Sequence, residues 1–361
     1  MTFGFKQFQT GHCYSYLLWD LNNKESVVID PNIELMDEYR FFLADNKLRV
    51  KTAIDTHFHS DHLSATHIMK AEYGSSIAMS ENTGSKRVDV KLKEGSKIRV
   101  GDISLEVLFT PGHAGDAICL RLVHHQSECI FTGCTLLIGA VGRVGLPGSD
   151  CGDFFKSLRR LEGLKDDTII FPGRDPFGRL FTVLKKERND NTEFNCESVE
   201  RFTEIKSNQT VGTVTEEINR CFDYNRSASP SSFGDGIHRA SVLTKSIKSD
   251  NSNFSCIGVT KYLKILESNS SDNSTLFLDV REQEEFNEAR IPRHVNIALS
   301  NLAFSLNQIQ EAKKVFILCL TERRSSLATR TLNYIGIKDV VLVNGGFRAW
   351  TQAGFPTVKA L

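Results

Sequence analysis

The sequence predicts an α/β protein of two domains, and three observations lead to that prediction. The chain has 361 residues, and domains usually contain roughly 100–200 residues each. In the N-terminal part, apolar and polar residues alternate from Ile103 to Phe109 as in a half-buried strand. In the C-terminal part, the apolar runs 276–280, 315–318 and 340–343 are separated by helix-length segments. That spacing favours a parallel sheet covered by helices.

A change in composition places the boundary between the two domains. The sequence becomes polar after about residue 205, and residues 225–236 are rich in Ser, Gly and Asn. We therefore predict a first domain over 1–215, a polar linker over 216–255 and a second domain over 256–361. A shorter polar run, 267–274, is interpreted as a loop between a helix and a strand of the second domain.

Charge, hydropathy and cysteine usage exclude several classes of protein. Lys plus Arg and Asp plus Glu number 44 each, so the net charge is zero and nucleic-acid binding is not expected. No run of about 18 apolar residues predicts a membrane span, and the N-terminus lacks the apolar core of a secretory signal. Nine cysteines do not form a disulfide framework. We expect a cytoplasmic protein that forms homo-oligomers and acts on small molecules.

Polar side chains follow four apolar runs at the point where each predicted strand ends. The run 52–55 leads to His57, and 103–109 leads through a Thr-Pro-Gly turn to His113. The runs 129–132 and 168–171 lead to Cys134 and Arg174. Loops that follow strands commonly carry binding and catalytic residues, because the sheet holds them rigidly.

One of these loops contains four side chains that can bind a metal. His57, His59, Asp61 and His62 lie within six residues. His57 and His59 can point the same way while Asp61 and His62 approach from the other side, so one segment could supply two adjacent coordination positions. We interpret the segment as a metal site rather than as a cluster of surface histidines.

This motif resembles the metallo-β-lactamase fold superfamily. The resemblance includes H-x-H-x-D-H from His57 to His62, Val-Ile-Asp-Pro at 28–31 and Thr-Pro-Gly-His at 110–113. It implies an αββα sandwich with metals at one edge of the sheets. Residues 56–65, 131–133, 142–143 and 146–148 are similar to the persulfide dioxygenase branch. That branch implies one Fe(II) held by two histidines and one aspartate, a ligand set suited to activating dioxygen.

By position, the iron histidines of that branch fall on His57 and His113, but its aspartate falls on Cys134. Arg174 stands where relatives have a histidine, and Gly145 replaces an aspartate. A thiolate favours zinc over an oxygen-activating iron, and the guanidinium repels a second cation. We expect at most one metal: iron with a Cys ligand, zinc in a hydrolase-like site, or none in a relic of the site.

Arg143 resembles the basic residue with which these relatives hold the glutathione part of the substrate, a role that suits a fixed cation facing a carboxylate. A surface arginine in a loop is the alternative.

The second domain carries a cysteine between a strand and a helix. The run 315–318 ends at Cys319, and a helical run is predicted from Ser326 to Ile335. Backbone N–H groups and the helix dipole favour a thiolate at such a position, and Arg324 would add positive charge for an anionic sulfur species. The alternative is a buried structural cysteine.

The surrounding sequence is similar to a single rhodanese domain. The similarity rests on Asp-Val-Arg-Glu at 279–282, Arg-Ile-Pro at 290–292, the loop 319–325 and the segment 344–350, whose Trp350 is predicted to lie in the core. It implies that Cys319 carries a persulfide sulfur between thiols. Arg293 replaces a usual glycine, and Glu322 brings a negative charge that could slow the approach of thiosulfate.

The whole arrangement resembles bacterial fusions of persulfide dioxygenase and rhodanese. The resemblance implies a bifunctional enzyme that oxidises glutathione persulfide, or another low-molecular-weight thiol persulfide, with dioxygen at Fe(II), and that transfers sulfur among persulfide, sulfite and thiosulfate. One alternative is a sulfurtransferase whose first domain is a degenerate binding or regulatory module. Another is a zinc-dependent thioester hydrolase fused to a rhodanese. No role is predicted for the other seven cysteines.

Overall fold

The structure is a computed structural model that describes residues 3–124, 127–208, 216–227, 255–268 and 274–359. These residues form two compact units. The first contains the described residues up to 177 and from 183 to 227; the second contains 178–182 and the described residues from 255 onward. In the described part of the chain, no helix is long and apolar enough to cross a membrane.

The first unit contains two six-stranded sheets. The first sheet has the order β1-β2-β3-β4-β5-β6 and consists of β1 (Phe3–Thr10), β2 (Cys13–Asp20), β3 (Glu25–Ile29), β4 (Arg49–Ile54), β5 (Ser76–Ser80) and β6 (Val90–Leu92). The second has the order β12-β11-β10-β9-β8-β7 and consists of β7 (Lys97–Val100), β8 (Ile103–Phe109), β9 (Ile118–His124), β10 (Ser127–Gly133), β11 (Ile169–Pro172) and β12 (Thr182–Val183).

Helices complete the first unit. They are α1 (Met36–Asp45), α2 (Thr66–Tyr73), α3 (Cys151–Glu162), α4 (Leu184–Asp190), α5 (Val199–Asn208) and α6 (Glu216–Ser227). A short 3-10 helix, Ile33–Leu35, precedes α1. Helix α3 begins at an N-cap, Asp150, whose carboxylate accepts a hydrogen bond from the Asp153 N–H at 2.8 Å.

Packing on both faces of each sheet produces four layers. Between the sheets, Phe5 lies 4.9 Å from Phe171, and Tyr16 lies 5.0 Å from Phe131, measured between ring centroids. On the outer face of the first sheet, α1 and α2 bury apolar side chains against the strands. On the outer face of the second sheet, α3, α4 and α5 do the same. The predicted αββα sandwich is confirmed.

The second unit is built on a five-stranded sheet with the order β13-β17-β16-β14-β15. Its strands are β13 (Ser255–Gly258), β14 (Thr275–Asp279), β15 (Val295–Asn296), β16 (Lys314–Leu318) and β17 (Val340–Asn344). Its helices are α7 (Val259–Ser268), α8 (Gln283–Glu288), α9 (Leu306–Gln310), α10 (Arg323–Tyr334) and α11 (Gly346–Gln352), with a 3-10 helix at Leu299–Ser305. All four strand pairs are parallel, as predicted.

The strand predictions agree closely with the structure. β8 has the predicted bounds, and β4, β10 and β11 end within a few residues of His57, Cys134 and Arg174. Trp350 is buried as predicted, and its indole N–H donates to the Pro356 carbonyl at 2.9 Å. Helix α10 begins three residues before the predicted start, because the carbonyl of Glu322 already accepts a hydrogen bond from the Ser326 N–H.

The predicted linker differs from the structure at its beginning. Residues 216–227 form helix α6, and Ile218, Cys221 and Tyr224 are buried in the first unit. Composition misled the prediction here, because a helix with one buried face can still be mostly polar. Residues 228–254 lie outside the described residues, so the remaining part of the linker stays a prediction. The predicted loop 267–274 overlaps the end of α7, and residues 269–273 also lie outside the description.

Candidate metal centre and sulfur-transfer loop

Three of the predicted metal-binding side chains meet at one end of the first unit. His57 follows β4, His113 follows β8 and Cys134 follows β10, so the two sheets bring together residues that are far apart in sequence. One nitrogen of each imidazole and the Cys134 sulfur lie within 4.8 Å of one another, and all three residues are buried. The loops after these strands therefore form one site, as their positions in the sequence predict.

A hydrogen-bonded chain orients the ring of His57. The hydroxyl of Thr56 donates to Asp30 Oδ2 at 2.8 Å, so its single proton is used there. The same Thr56 oxygen lies 3.1 Å from His57 Nδ1 and must then accept that N–H. This assigns the proton of neutral His57 to Nδ1 and leaves the lone pair of Nε2 free. Burial holds the pKa of His57 well below its usual range, which favours the neutral ring that binds metals.

His113 is oriented in the same way by a backbone carbonyl. Its Nδ1 lies 2.8 Å from the carbonyl oxygen of Arg143, which can only accept a hydrogen bond. The lone pair of His113 is therefore on Nε2. Burial lowers the pKa of His113 to about 4, so the ring is neutral at physiological pH. Hydrogen bonds of this kind, from the second ring nitrogen, are a regular feature of metal-binding histidines.

Cys134 supplies the third donor. Burial and, next, the nearby Asp61 carboxylate raise the pKa of its thiol, so the thiolate needs a neighbouring cation. Gly142 lets the chain pass close to this group: a Cβ there would lie 2.1 Å from the Cys134 carbonyl oxygen and 3.0 Å from His113 Nδ1. A larger residue at Gly142 would displace one of these two groups.

The donor set fits a single metal ion. His57 Nε2 is buried and has no hydrogen-bond partner, although an unpaired buried nitrogen is costly. Two neutral imidazoles and one thiolate are ligands that zinc and other first-row transition metals accept. The three side chains also leave coordination positions for a substrate, since such ions take four to six ligands.

His59 lies in a different group from His57, contrary to the prediction that the two point the same way. Its Nε2 is 3.1 Å from Asp30 Oδ1 and 3.6 Å from Asp55 Oδ1. Burial alone would lower the pKa of His59, but the two carboxylates more than offset it and raise the pKa. The two buried carboxylates thus favour the protonated ring, and one donor atom each of Asp30, Asp55 and His59 lie within 4.8 Å of one another in a group separate from that of His57.

Asp61 and His62 form a third group with Cys13, for which the sequence predicts no role. Donor atoms of Cys13, Asp61 and His62 lie within 4.8 Å of one another, and the Cys13 sulfur is 3.9 Å from Asp61 Oδ2. Arg174 contacts this third group, since its Nη1 atom lies 3.4 Å from Asp61 Oδ2. Burial would raise the pKa of Asp61, but His62 and Arg174 lower it. The guanidinium therefore supplies the positive charge that balances this carboxylate.

Arg143 reaches the histidine loop with its side chain as well. Its Nη2 donates to Ser60 Oγ at 3.0 Å, while its carbonyl orients His113. The predicted substrate-binding residue thus lies beside the candidate metal centre, and its role in binding stays a prediction.

Cys319 lies at the end of β16 and immediately before α10, as predicted. Its side chain is buried, and Sγ lies 3.3 Å from Ser325 Oγ. The Cys319 carbonyl accepts a hydrogen bond from the Phe347 N–H at 2.8 Å. Gly346 makes this close approach possible, because a Cβ there would lie 2.4 Å from that same carbonyl oxygen. The loop around Cys319 is therefore fastened to the turn before α11.

Charged residues near Cys319 are paired with other groups. Arg324 Nη2 donates to Glu285 Oε1 at 2.7 Å, and the Arg324 side chain is 26% exposed. Glu322 Oε1 accepts a hydrogen bond from the Gly345 N–H at 2.7 Å. Arg324 was predicted to offer its charge to an anionic sulfur species, and in the structure that charge is largely balanced by Glu285.

Family comparisons divide the chain in the same way as the structure. Residues 9–174 match the family described as the metallo-beta-lactamase superfamily, and residues 262–353 match the rhodanese-like domain. The chain is 27% identical over 205 residues to mouse "Persulfide dioxygenase ETHE1, mitochondrial". The matched region covers 56% of this chain and 80% of that protein. It is 34% identical over 164 residues to the "Hydroxyacylglutathione hydrolase" of Francisella tularensis subsp. novicida (strain U112), covering 45% of this chain and 62% of that protein.

A crystal structure of ETHE1 from Myxococcus xanthus is similar to the first unit. The sequence identity is 30%, the TM-score is 0.59, and the match covers 62% of this chain and 99% of that chain. The H-x-H-x-D-H loop, the four-layer sandwich and the separate parallel-sheet unit all agree with these matches. The chain therefore belongs to the metallo-beta-lactamase superfamily, has ETHE1 persulfide dioxygenases among its homologues and carries a C-terminal rhodanese-like domain.

Proposed function

We propose that the chain is a bifunctional enzyme of sulfur metabolism. Its first unit oxidises glutathione persulfide, or a similar low-molecular-weight persulfide, to sulfite at one iron ion. Its second unit transfers sulfane sulfur through Cys319. The observation that carries the first activity is the meeting of His57, His113 and Cys134, with both imidazoles oriented by their Nδ1 atoms. The similarity to ETHE1 proteins supports the choice of substrate.

Each side chain of the centre has a separate task in the proposed oxidation. His57, His113 and Cys134 would hold the ion, and a ferrous ion bound there would supply the activation of dioxygen. Arg143, beside Ser60, would bind a carboxylate of the thiol carrier and so place its persulfide group at the centre. Arg174 balances the charge of Asp61 and thereby leaves a site for one ion only.

The overall oxidation balances without a further reductant. A persulfide R–S–SH, dioxygen and water give the thiol R–SH and sulfurous acid, which is ionised to sulfite at neutral pH. The outer sulfur loses four electrons, and dioxygen accepts them. The S–S bond breaks, and the thiol sulfur keeps the electron pair and takes a proton.

In the second unit, the Cys319 thiolate would attack the outer sulfur of a persulfide. The S–S bond of the donor breaks, a thiol leaves, and Cys319 keeps the sulfur as a persulfide. Sulfite can then accept this sulfur to form thiosulfate. The two units would share sulfite, and their covalent connection raises its effective concentration.

Two variants separate the proposed activities. His113→Ala should abolish oxygen consumption with glutathione persulfide and leave sulfur transfer from thiosulfate to a thiol intact. Cys319→Ser should abolish sulfur transfer from thiosulfate to a thiol and leave oxygen consumption with glutathione persulfide intact. The proposal is wrong if Cys319→Ser retains sulfur transfer or if His113→Ala retains oxygen uptake.

A second candidate function rests on Cys134 and on the similarity to hydroxyacylglutathione hydrolase. A thiolate with two imidazoles suits tetrahedral zinc, which would favour hydrolysis of a glutathione thioester. Purified protein that contains zinc and cleaves a thioester would support this function. Protein that binds no metal would support the other alternative, in which the first unit is a binding or regulatory module for the rhodanese unit.

A further inference from the structure

Helix α6 contacts the metal-binding loop directly, although it lies far from that loop in sequence and beyond the residues that match the superfamily. Four of its residues, Ile218, Cys221, Phe222 and Asn225, follow the spacing i, i+3, i+4 and i+7 and so share one face of the helix. We propose that α6 positions the loop from His57 to Ser64 and that Asn225 is the residue through which it does so. This inference concerns the same site as the proposed function and rests on that function for its catalytic meaning.

Asn225 uses both ends of its side-chain amide on the backbone of this loop. Its Nδ2 donates to the carbonyl oxygens of His59 at 2.9 Å and His62 at 3.0 Å. Its Oδ1 accepts the N–H of Ser64 at 2.9 Å. One side chain thus replaces three backbone hydrogen bonds that a loop without regular structure cannot make for itself.

Neighbouring residues of α6 strengthen the contact. The Cys221 thiol lies 3.0 Å from the His62 carbonyl oxygen and donates to it. Phe222 stacks on Phe58 with ring centroids 5.4 Å apart and planes 9° apart. Tyr224, on the following turn, lies with its hydroxyl 2.8 Å from His67 Nε2. The helix therefore contacts the loop at its beginning, at its end and just beyond it.

The loop held in this way carries His57 at one end and Asp61 and His62 near the other. The hydrogen bonds from Asn225 fix the backbone at His59, His62 and Ser64, so they restrict the positions of the side chains between and beside these points. Groups that orient metal ligands from outside the coordination sphere typically change metal affinity by about 10- to 100-fold when they are removed. Asn225 touches neither the ligand atoms nor the substrate site, so we class it as a positioning residue.

Asn225→Ala and Asn225→Asp in the full chain test this inference, with Arg226→Ala as the matched control on the exposed face of the same helix. Asn225→Asp keeps an acceptor for the Ser64 N–H but turns a negative oxygen towards two carbonyl oxygens. We expect both Asn225 variants to bind Co(II) about 10- to 100-fold more weakly and to alter its visible absorption spectrum. Arg226→Ala should match the unmodified protein in both measurements.

Hydrogen–deuterium exchange of the metal-free protein gives a readout that does not depend on a metal. Amide protection over 57–64 should fall in Asn225→Ala and stay unchanged in Arg226→Ala. If the unmodified chain bound no Co(II), the proposed function would fail, and this exchange result would still decide the positioning role. The inference is overturned if Asn225→Ala melts earlier yet keeps the same cobalt affinity, spectrum and loop protection.

A milder variant covers the case in which Asn225→Ala does not fold. Cys221→Ala removes the thiol donor to the His62 carbonyl and leaves Asn225 in place. It should weaken Co(II) binding by a smaller factor than Asn225→Asp does, whereas Cys221→Ser, which keeps a donor, should bind as the unmodified chain does. Equal cobalt affinity in Cys221→Ala and Cys221→Ser, together with unchanged affinity in Asn225→Asp, contradicts the inference.

Discussion

Replacing Arg174 should allow the candidate centre, for which we propose one metal ion, to bind a second one. Donor atoms of Cys13, Asp61 and His62 already lie within 4.8 Å of one another, and His62 Nε2 is buried without a hydrogen-bond partner. The Nη1 atom of Arg174 lies 3.4 Å from Asp61 Oδ2 and so places a fixed positive charge beside that carboxylate oxygen. Arg174→His removes this charge and adds a neutral nitrogen donor.

The repulsion between the Arg174 guanidinium and a second metal ion can be worked out from the distance between them. A zinc ion bonded to Asp61 at about 2.1 Å would lie within about 6 Å of Nη1. Charges of +2 and +1 separated by about 6 Å repel by about 5.5 kcal/mol at an effective dielectric constant of about 20. That repulsion corresponds to a roughly 10,000-fold loss of affinity, so the second site should stay empty at zinc concentrations that fill the first.

Zinc bound per chain, measured after gel filtration and in competition with a chromophoric chelator, tests this reasoning. We expect one zinc ion in the unmodified protein and in Arg174→Lys, which keeps the charge, and two in Arg174→His. Two ions in the unmodified protein, or one in Arg174→His, would refute the argument that the guanidinium excludes the second metal.

Four other predictions follow from the described contacts. Cys134→Asp should raise the affinity of the centre for iron relative to zinc, because a carboxylate is a harder ligand than a thiolate. Metal-free protein loaded with equal amounts of the two ions should then retain more iron, and an unchanged ratio of iron to zinc would contradict this. Gly142→Ala should destabilise the metal-free protein by about 1–3 kcal/mol in urea unfolding, because its Cβ would meet the Cys134 carbonyl at 2.1 Å. Cys319→Ser should abolish sulfur transfer, while Cys256→Ser, at an exposed cysteine, should not. Burial lowers the pKa of His294 from 6.5 to about 4. The free energy of unfolding should therefore be highest above pH 6.5 and decrease by about 3 kcal/mol as the pH falls to 4, because the unfolded chain binds the proton first. In His294→Gln, the free energy of unfolding should depend less on pH over that range.

Local patterns in the sequence predicted several strands and the loops that follow them, whereas the four layers and the ligand set were implied by the resemblance to the metallo-β-lactamase superfamily. The alternation from Ile103 to Phe109 gave the bounds of β8, and the apolar runs before His57 and Cys134 located the strands that end at the site. Strands in packed sheets end at common edges, so residues that follow them are brought together without any further information. The donor atoms of His57, His113 and Cys134 do lie together in the structure, and their role as metal ligands stays a prediction.

Contacts between residues distant in sequence could not be predicted in this way. Cys13 begins β2 and meets Asp61 only because the two lie on adjoining parts of the folded unit. The ion pair between Arg324 and Glu285 also depends on the packing of two helices. The spacing of Ile218, Cys221 and Asn225 is typical of a helix with one buried face. Because α6 contains many charged residues, its composition nevertheless indicated a linker.

The proposed persulfide oxidation is tested by the oxygen consumption of the anaerobically purified chain with glutathione persulfide, together with metal analysis and determination of sulfite. We expect one iron ion per chain and one molecule of dioxygen consumed for each molecule of sulfite formed. Iron-loaded protein that consumes no oxygen with this substrate would contradict it.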